Sequence, residues 1–258
     1  KLKMFVHAEE VIPNTLNNQD LTLFVRLGTD FVENYYEYEI PMDVTDWGVT
    51  SPDAIWPENN NMEIVFDDLL DLKKERNSKI EQGANGISYI VEYSAPDPAN
   101  DKRKIKVKGS PNLQGIKTIM VGVRNPLKTD PNNIWKPDNG DAECAIVWVN
   151  ELRLTDFVSE GGSAAIGQMQ VQLADFGTIA ALGNYSGINW GSVESRVQER
   201  QRNQKIGVDL NSNVQLGQFF GKQARMSLPF FYGYSLGIIN PEYDQFNPDI
   251  KFSDYDPI

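Results

Sequence analysis

The segment IGVDLNSNVQL, residues 206–216, decides the fold, because apolar side chains alternate along it with polar or small residues. Its apolar positions are Ile206, Val208, Leu210, Val214 and Leu216, and the positions between them include Gly207, Asp209, Asn211, Asn213 and Gln215. A helix would scatter these side chains around its circumference, whereas a β-strand sorts them onto two faces. The pattern therefore predicts a strand, and its length reaches the ~9–11 residues with which a tilted strand crosses a bilayer.

Two other segments show the same alternation. The apolar positions of the later one are Met226, Leu228, Phe230, Tyr232, Tyr234 and Leu236, and the earlier one sets Ala165, Met169, Val171 and Leu173 against Gln168, Gln170 and Gln172. A soluble antiparallel sheet also alternates, with one face on a core and the other in water. Here the polar faces are short and mostly neutral, and the segments exceed the ~5–6 residues of a usual soluble strand. Both features favour strands of a membrane barrel.

The chain before Phe157 has a different character, with short strands, dense charge and connections rich in Pro and Asn. Apolar patterns predict strands near residues 21–27, 36–40, 88–93, 105–107, 117–123 and 145–154. After them, Ser159, Gly161 and Gly162 offer a flexible joint. We therefore predict a mainly β protein, with a β-sandwich domain over residues 1–157 and antiparallel barrel strands with connecting loops over residues 158–258.

One helix is predicted inside the first domain. Apolar side chains recur at helical spacing at Met62, Val65, Phe66, Leu69 and Leu70. Acidic side chains come early, at Glu63, Asp67 and Asp68, and basic ones come late, at Lys73, Lys74 and Arg76. This order of charges complements the helix dipole and supports the prediction.

The composition excludes several classes of protein. The 258 residues carry 24 basic and 36 acidic side chains, a net charge of −12, which argues against nucleic-acid partners because phosphates are held by clustered Lys and Arg. The single cysteine, Cys144, excludes an internal disulfide framework and a cysteine-rich zinc site. No apolar run approaches the ~20 residues of a membrane-spanning helix, and no signal peptide is recognised at Lys1.

Candidate catalytic residues are few, and no enzymatic activity is predicted. His7 is the only histidine, no nucleophile elbow accompanies it, and its neighbours favour a position at the margin of a strand. Glu37 and Glu39 point the same way from one predicted strand, as the carboxylate pair of a glycoside hydrolase would. The favoured interpretation is that they form a solvated face opposite Tyr36 and Tyr38.

Two further features of the sequence bear on ligand binding. The run Asp138-Asn139-Gly140-Asp141 offers oxygens to calcium but lacks the later bidentate acid of a full loop, so a turn is favoured. Trp47, Trp56 and Trp135 lie in loops flanked by Gly or Pro and would stack sugars if exposed. They keep a soluble extracellular carbohydrate-binding β-sandwich module as the alternative function. No catalytic residue, metal site or cofactor is predicted.

Several stretches resemble the SprA/Sov family, the giant outer-membrane proteins of the type IX secretion system of Bacteroidetes bacteria. The longest is VWVNELRLTDF at residues 147–157. The others are MFVHAE at 4–9, LFVRLG at 23–28, YYEYEIP at 35–41, IWPEN at 55–59, LADFG at 173–177, NPEY at 240–243 and NPDI at 247–250. The resemblance runs in order along nearly the whole chain, and it implies an internal fragment because family members are many times longer.

The resemblance implies a protein-translocation channel that exports folded cargo proteins in gliding motility and cell-surface protein delivery. Family members form a very large single-chain transmembrane β-barrel with a cap at the cell surface and a lateral opening. Residues 1–157 then resemble the cap, and the strands after Gly162 resemble barrel strands. The implied partners are outer-membrane lipid, the rest of the barrel, a second outer-membrane β-barrel at the lateral opening, a periplasmic plug protein and the exported cargo.

In this setting the apolar and polar positions of the alternating segments are predicted to face different surroundings. The apolar positions from Ile206 to Leu216 and from Met226 to Leu236 are predicted to face lipid, and Asp209, Asn211, Asn213 and Gln215 to face the lumen. The sequence leaves open the cargo, the gating trigger, the cap face that meets partners and the conformation of residues 187–204.

Overall fold

The computed structural model describes residues 1–13, 15–126, 142–157, 160–196, 199–221, 223 and 225–254. Strands account for 46% and helices for 16% of the described residues, so this part of the protein is mainly β, as predicted. The chain divides into two compact units. The first comprises Lys1–Phe157 and the short segment Asn247–Asp249, and the second comprises Val158–Phe246 and Ile250–Ile258.

The first unit contains two antiparallel sheets. Its strands are β1 (Leu2–Glu10), β2 (Thr22–Gly28), β3 (Tyr35–Pro41), β4 (Met62–Ile64), β5 (Tyr93–Asp97), β6 (Asn100–Lys108), β7 (Thr118–Arg124) and β8 (Ala145–Leu154). The larger sheet has the order β5-β6-β3-β2-β7 and the smaller one the order β4-β1-β8. Five of the six predicted strands are present. The sixth, at 88–93, meets a strand only at Tyr93, and β1 and β4 were not predicted.

One buried core joins the two sheets of this unit. The smaller sheet contributes Met4 and Val6 from β1, and the larger sheet contributes Val25 from β2 and Ile40 from β3. Leu69 and other apolar side chains of a helix join the same cluster. The apolar positions that alternate along β1 and β2 therefore point into a buried core, which is the ordinary reason for a period of two in a soluble sheet.

The predicted helix begins later than its apolar stripe indicated. Helix α1 is a short turn at Pro52–Ile55, and the main helix, α2, spans Phe66–Glu81. Met62 lies before α2 in strand β4, where Met62 and Ile64 alternate with Glu63. Glu63 forms ion pairs with Lys1 at 2.7 Å and Lys3 at 2.9 Å. The prediction of helix at Met62 was wrong because pairing with β1 draws these residues into a sheet.

The second unit is built on a single four-stranded antiparallel sheet in which each strand pairs with the next along the chain. Its strands are β9 (Ala164–Leu173), β10 (Gly177–Ser186), β11 (Asn203–Gln215) and β12 (Pro229–Pro241). The sheet does not close on itself, and β9 and β12 are its edges. Within the stretch that the sequence left open, residues 187–196 form turns and irregular chain, and β11 begins only at Asn203.

Candidate functional site

The sheet of the second unit gathers eight of the eleven predicted lipid-facing side chains on one face. Directly opposed residues in an antiparallel pair project to the same side. On β11, Val208 opposes Leu236 of β12, and Leu210 opposes Tyr234. The remaining opposed pairs on this face include Ile206 with Ile238, Ser212 with Tyr232 and Val214 with Phe230. The face continues across β10 and β9, because Leu210 opposes Ala181, which in turn opposes Met169.

This apolar face is exposed. The exposed fraction is 41% for Val208, 48% for Tyr234 and 56% for Met169, which lie on three different strands. A β-strand in a soluble sheet normally hides such a face on a core. Contiguous apolar surface of this kind marks contact with a membrane or with another protein. We call it the apolar face of the second unit.

The opposite face carries the predicted lumen-facing residues. Asp209 opposes Ser235, whose hydroxyl donates a hydrogen bond to the Asp209 carboxylate at 2.6 Å. Asn211 lies between Ala180 and Gly233, and Asn213 opposes Phe231. The last of the set, Gln215, opposes Pro229 at the end of the strand pair. Phe231 is 71% exposed, so this face also includes apolar side chains that the alternation of β11 did not indicate.

Three residues predicted to continue the alternation lie outside the strands. Leu216 begins a 3₁₀ helix that ends at Phe220, and Met226 and Leu228 precede β12. The backbone N–H of Leu216 donates to the Leu228 carbonyl at 2.8 Å. The backbone at Gly217 packs closely against the backbone at Met226, since a Cβ on Gly217 would lie 2.2 Å from the Met226 carbonyl oxygen. The predicted strands were therefore too long, because alternation persists into a connection with its own hydrogen bonds.

Glu37 and Glu39 of β3 are buried, which corrects the prediction of a solvated face. Arg26 Nε donates to the Glu37 carboxylate at 2.8 Å, and Lys106 Nζ lies 3.1 Å from Glu37 and 2.8 Å from Glu39. Arg124 donates to both carboxylates, at 3.1 and 2.6 Å. Burial alone would raise the pKa of Glu37, but Lys106, Arg124 and Arg26 together hold it below its ordinary value. We call these five residues the charge cluster.

His7 and two tryptophans lie on the outer side of β1. The ring of Trp56 packs at 5.6 Å from the His7 ring and at 6.5 Å from the Phe5 ring, measured between centroids. Trp47 is 63% exposed, whereas Trp56 is half-buried. The third tryptophan of the sugar-stacking hypothesis, Trp135, lies outside the described residues, as does the possible calcium loop at 138–141. Among the described residues, no three His, Cys, Asp or Glu side chains are grouped to hold a metal ion.

A sequence model of the SprA_N family, described as motility related/secretion protein, matches residues 1–255. The chain belongs to the SprA_N family. No curated protein matches it. In the part of this SprA_N chain that the structure describes, no helix is long and apolar enough to cross a membrane.

The stretch VWVNELRLTDF of this SprA_N chain falls mostly on β8, an edge strand that pairs with β1. The register shifts between Lys3 and Phe5 of β1, where Glu151 of β8 has a positive φ of 54°. Such a bulge bends the strand and changes the direction of the side chains around it. The longest of the stretches that carry the resemblance therefore has an irregular backbone.

Proposed function

We propose that the chain is a section of the outer-membrane protein-translocation channel of a type IX secretion system, which exports folded cargo proteins. The observation that carries the proposal is the exposed apolar face of the second unit. The family adds a role in motility or secretion. The mechanism is steric and structural, with no catalytic residue, metal or cofactor.

Strand length and face chemistry both support a transmembrane sheet. Strands β9 and β10 have 10 residues each, and β11 and β12 have 13 each. A tilted strand needs ~9–11 residues to cross the hydrocarbon core. Valine, leucine and tyrosine on one face suit lipid, and aspartate and asparagine on the other suit a wet lumen.

The partners follow from the open edges of the sheet. In hydrocarbon, each unpaired N–H or C=O group at a strand edge costs several kcal/mol. A transmembrane sheet with β9 and β12 at its edges therefore requires further strands to pair with them. We propose that the rest of a large barrel supplies them and that the first unit forms part of a cap at the cell surface. The proposed further partners are a second outer-membrane barrel at a lateral opening, a periplasmic plug protein and the cargo.

Leu210→Arg is expected to destabilise the chain in lipid vesicles by about 2–4 kcal/mol if residue 210 lies near the bilayer midplane. The matched control is Asn211→Arg, which projects to the opposite face, between Ala180 and Gly233, and is expected to fold as well as the unmodified chain. Folding is followed by protease resistance and circular dichroism after refolding into vesicles. Equal yields for the two variants would contradict the assigned orientation.

Two adjacent labelling positions test the orientation without a stability measurement. Cys144 is replaced by Ser, and a single cysteine carrying an environment-sensitive fluorophore is placed at Val208 or at Asp209. Lipids with a quencher on the acyl chain are expected to quench the label at 208 and to spare the label at 209. Equal quenching, or the reverse order, would overturn the proposal.

The exposed Trp47 favours a second candidate, a soluble extracellular carbohydrate-binding module. This candidate requires the 258-residue chain to be soluble and monomeric without detergent and to bind oligosaccharides through Trp47. Analytical ultracentrifugation without detergent, followed by titration with oligosaccharides, separates the two candidates.

A further inference from the structure

A cavity of about 340 Å³ lies in the first unit, between the end of β1, the turn at residues 45–49 and the start of β8. Apolar side chains, among them Val11 and Ile146, form part of its wall, and Trp47 adds an aromatic surface. Glu9 and Asp46 supply carboxylates. The cavity thus combines an apolar wall with negative charge, and it is separate from the apolar face of the second unit.

His7 determines which polar chemistry this cavity offers. Its Nδ1 lies 2.6 Å from the carbonyl oxygen of Ile55, which can only accept, so Nδ1 carries the proton. In the neutral ring Nε2 is then an acceptor. It lies 3.7 Å from the Glu9 carboxylate, which is beyond hydrogen-bond distance, and no described residue donates to it.

The His7 side chain is nine-tenths buried, and His7 lines the cavity. A ligand in the cavity that donates a hydrogen bond to Nε2 would satisfy this acceptor. Glu9 and Asp46 add charge, and neither Lys nor Arg is among the described residues that line the cavity.

We propose that this cavity binds a primary ammonium group on an apolar stem, as a lysine side chain of a polypeptide carries. An ammonium group has three donors and no acceptor, which matches the Nε2 acceptor and the carboxylates. The stem would contact the apolar wall, and Trp47 would add a cation–π interaction. A sugar hydroxyl both donates and accepts, so a site rich in acceptors suits it less well.

Because His7 is the only histidine, its imidazole gives a site-specific signal. We would label the full chain with ¹⁵N-histidine and record the imidazole nitrogen resonances during titration with Nα-acetyl-lysine N-methylamide. A saturable shift of the Nε2 resonance is expected. The matched ligand is Nα-acetyl-norleucine N-methylamide, which keeps the stem without the ammonium group and is expected to produce a much smaller shift.

Glu9→Gln is expected to weaken binding of the lysine probe about threefold to fivefold, as removal of a partly exposed ion pair would. Trp47→Ala, which removes the aromatic surface, gives a second variant at an exposed position. Glu151→Gln is the control, because Glu151 lies on β8 but lines a different cavity. Circular dichroism verifies that each variant is folded.

The absence of a saturable shift with the lysine probe would overturn the proposal. Equal binding of the norleucine probe would overturn it in favour of a purely apolar cavity. A shift with maltose but not with the lysine probe would overturn it in favour of the carbohydrate-binding candidate. Unchanged binding in both Glu9→Gln and Trp47→Ala would show that the shift arises elsewhere.

Discussion

Glu37→Gln is expected to lower the free energy of unfolding of the first unit by about 3–5 kcal/mol. The Glu37 side chain has no solvent exposure, and Arg26, Lys106 and Arg124 all contact its carboxylate. The amide leaves excess positive charge among side chains that are largely withdrawn from water, because Glu39 and the partly exposed Glu92 are then the carboxylates that face these cations. Breaking a buried ion pair on one side is therefore far more destabilising than removing an exposed one.

Tryptophan fluorescence during denaturant unfolding measures this effect. The background substitution Trp190→Phe removes the one tryptophan of the second unit, so that the signal reports the first. The control is Glu33→Gln, whose side chain is 60% exposed and lies 3.4 Å from Lys108. It is expected to change stability by less than about 1 kcal/mol. The explanation fails if the two variants differ by less than this amount.

The same carboxylate is expected to make stability depend on acid pH. The pKa of Glu37 is lower in the folded chain than its ordinary value of 4.5. The unfolded chain therefore binds the proton first, and the contribution of Glu37 is complete above pH 4.5 and is lost as the pH falls through the folded-state pKa. The stability difference between the unmodified chain and Glu37→Gln should shrink below this pH. A difference that stays constant from neutral to acid pH would contradict the assignment.

The strands of the second unit could be predicted because their two faces differ in side-chain chemistry. The alternation from Ile206 to Gln215 predicts both the strand and its faces, and the pairing of Leu210 with Tyr234 follows the same order. The end of the strand could not be predicted, since the turn at Leu216 depends on a hydrogen bond to the distant Leu228. The local alternation of side chains predicts which residues share a face of the strand, whereas hydrogen bonds to distant residues decide where the strand ends.

The charge cluster could not be predicted from the sequence around β3. The sequence Tyr-Glu-Tyr-Glu is typical of a strand with one wet face, and the cations that cover the carboxylates come from three other strands. Arg26 lies on β2, Lys106 on β6 and Arg124 on β7. Only the strand order β6-β3-β2-β7 brings them together. The cavity at His7 could not be predicted from the sequence for the same reason, because the residues that line it come from distant parts of the chain.

Helix α2 shows a related difference. The basic residues Lys73 and Arg76 were assigned to the end of the helix, where cations favour the dipole. In the structure they lie in its middle and are buried, at 2% and 0% exposure. Lys73 donates to the Asp249 carboxylate at 2.8 Å and to the Pro111 carbonyl at 3.0 Å. The Tyr36 hydroxyl donates to the same carboxylate at 2.8 Å.

Lys73→Met is accordingly expected to lower the free energy of unfolding of the first unit by about 3–5 kcal/mol, because it leaves Asp249 buried without a cation. The control is Lys74→Met, whose ion-pair partner Asp71 has a side chain 68% exposed, with an expected change below about 0.5 kcal/mol. The same fluorescence measurement serves both.

The double variant Lys73→Met/Asp249→Leu tests whether the unpaired charge is the cause. Its loss of stability is expected to be smaller than the sum of the two single losses, because replacing a buried ion pair by apolar side chains removes both desolvation penalties. Additive losses would contradict this. The pair also joins α2 to Asn247–Asp249, a segment that follows the whole sheet of the second unit along the chain. A fragment ending at Phe157 lacks Asp249 and leaves Lys73 buried without its carboxylate, so it should unfold at lower denaturant than the first unit of the full chain.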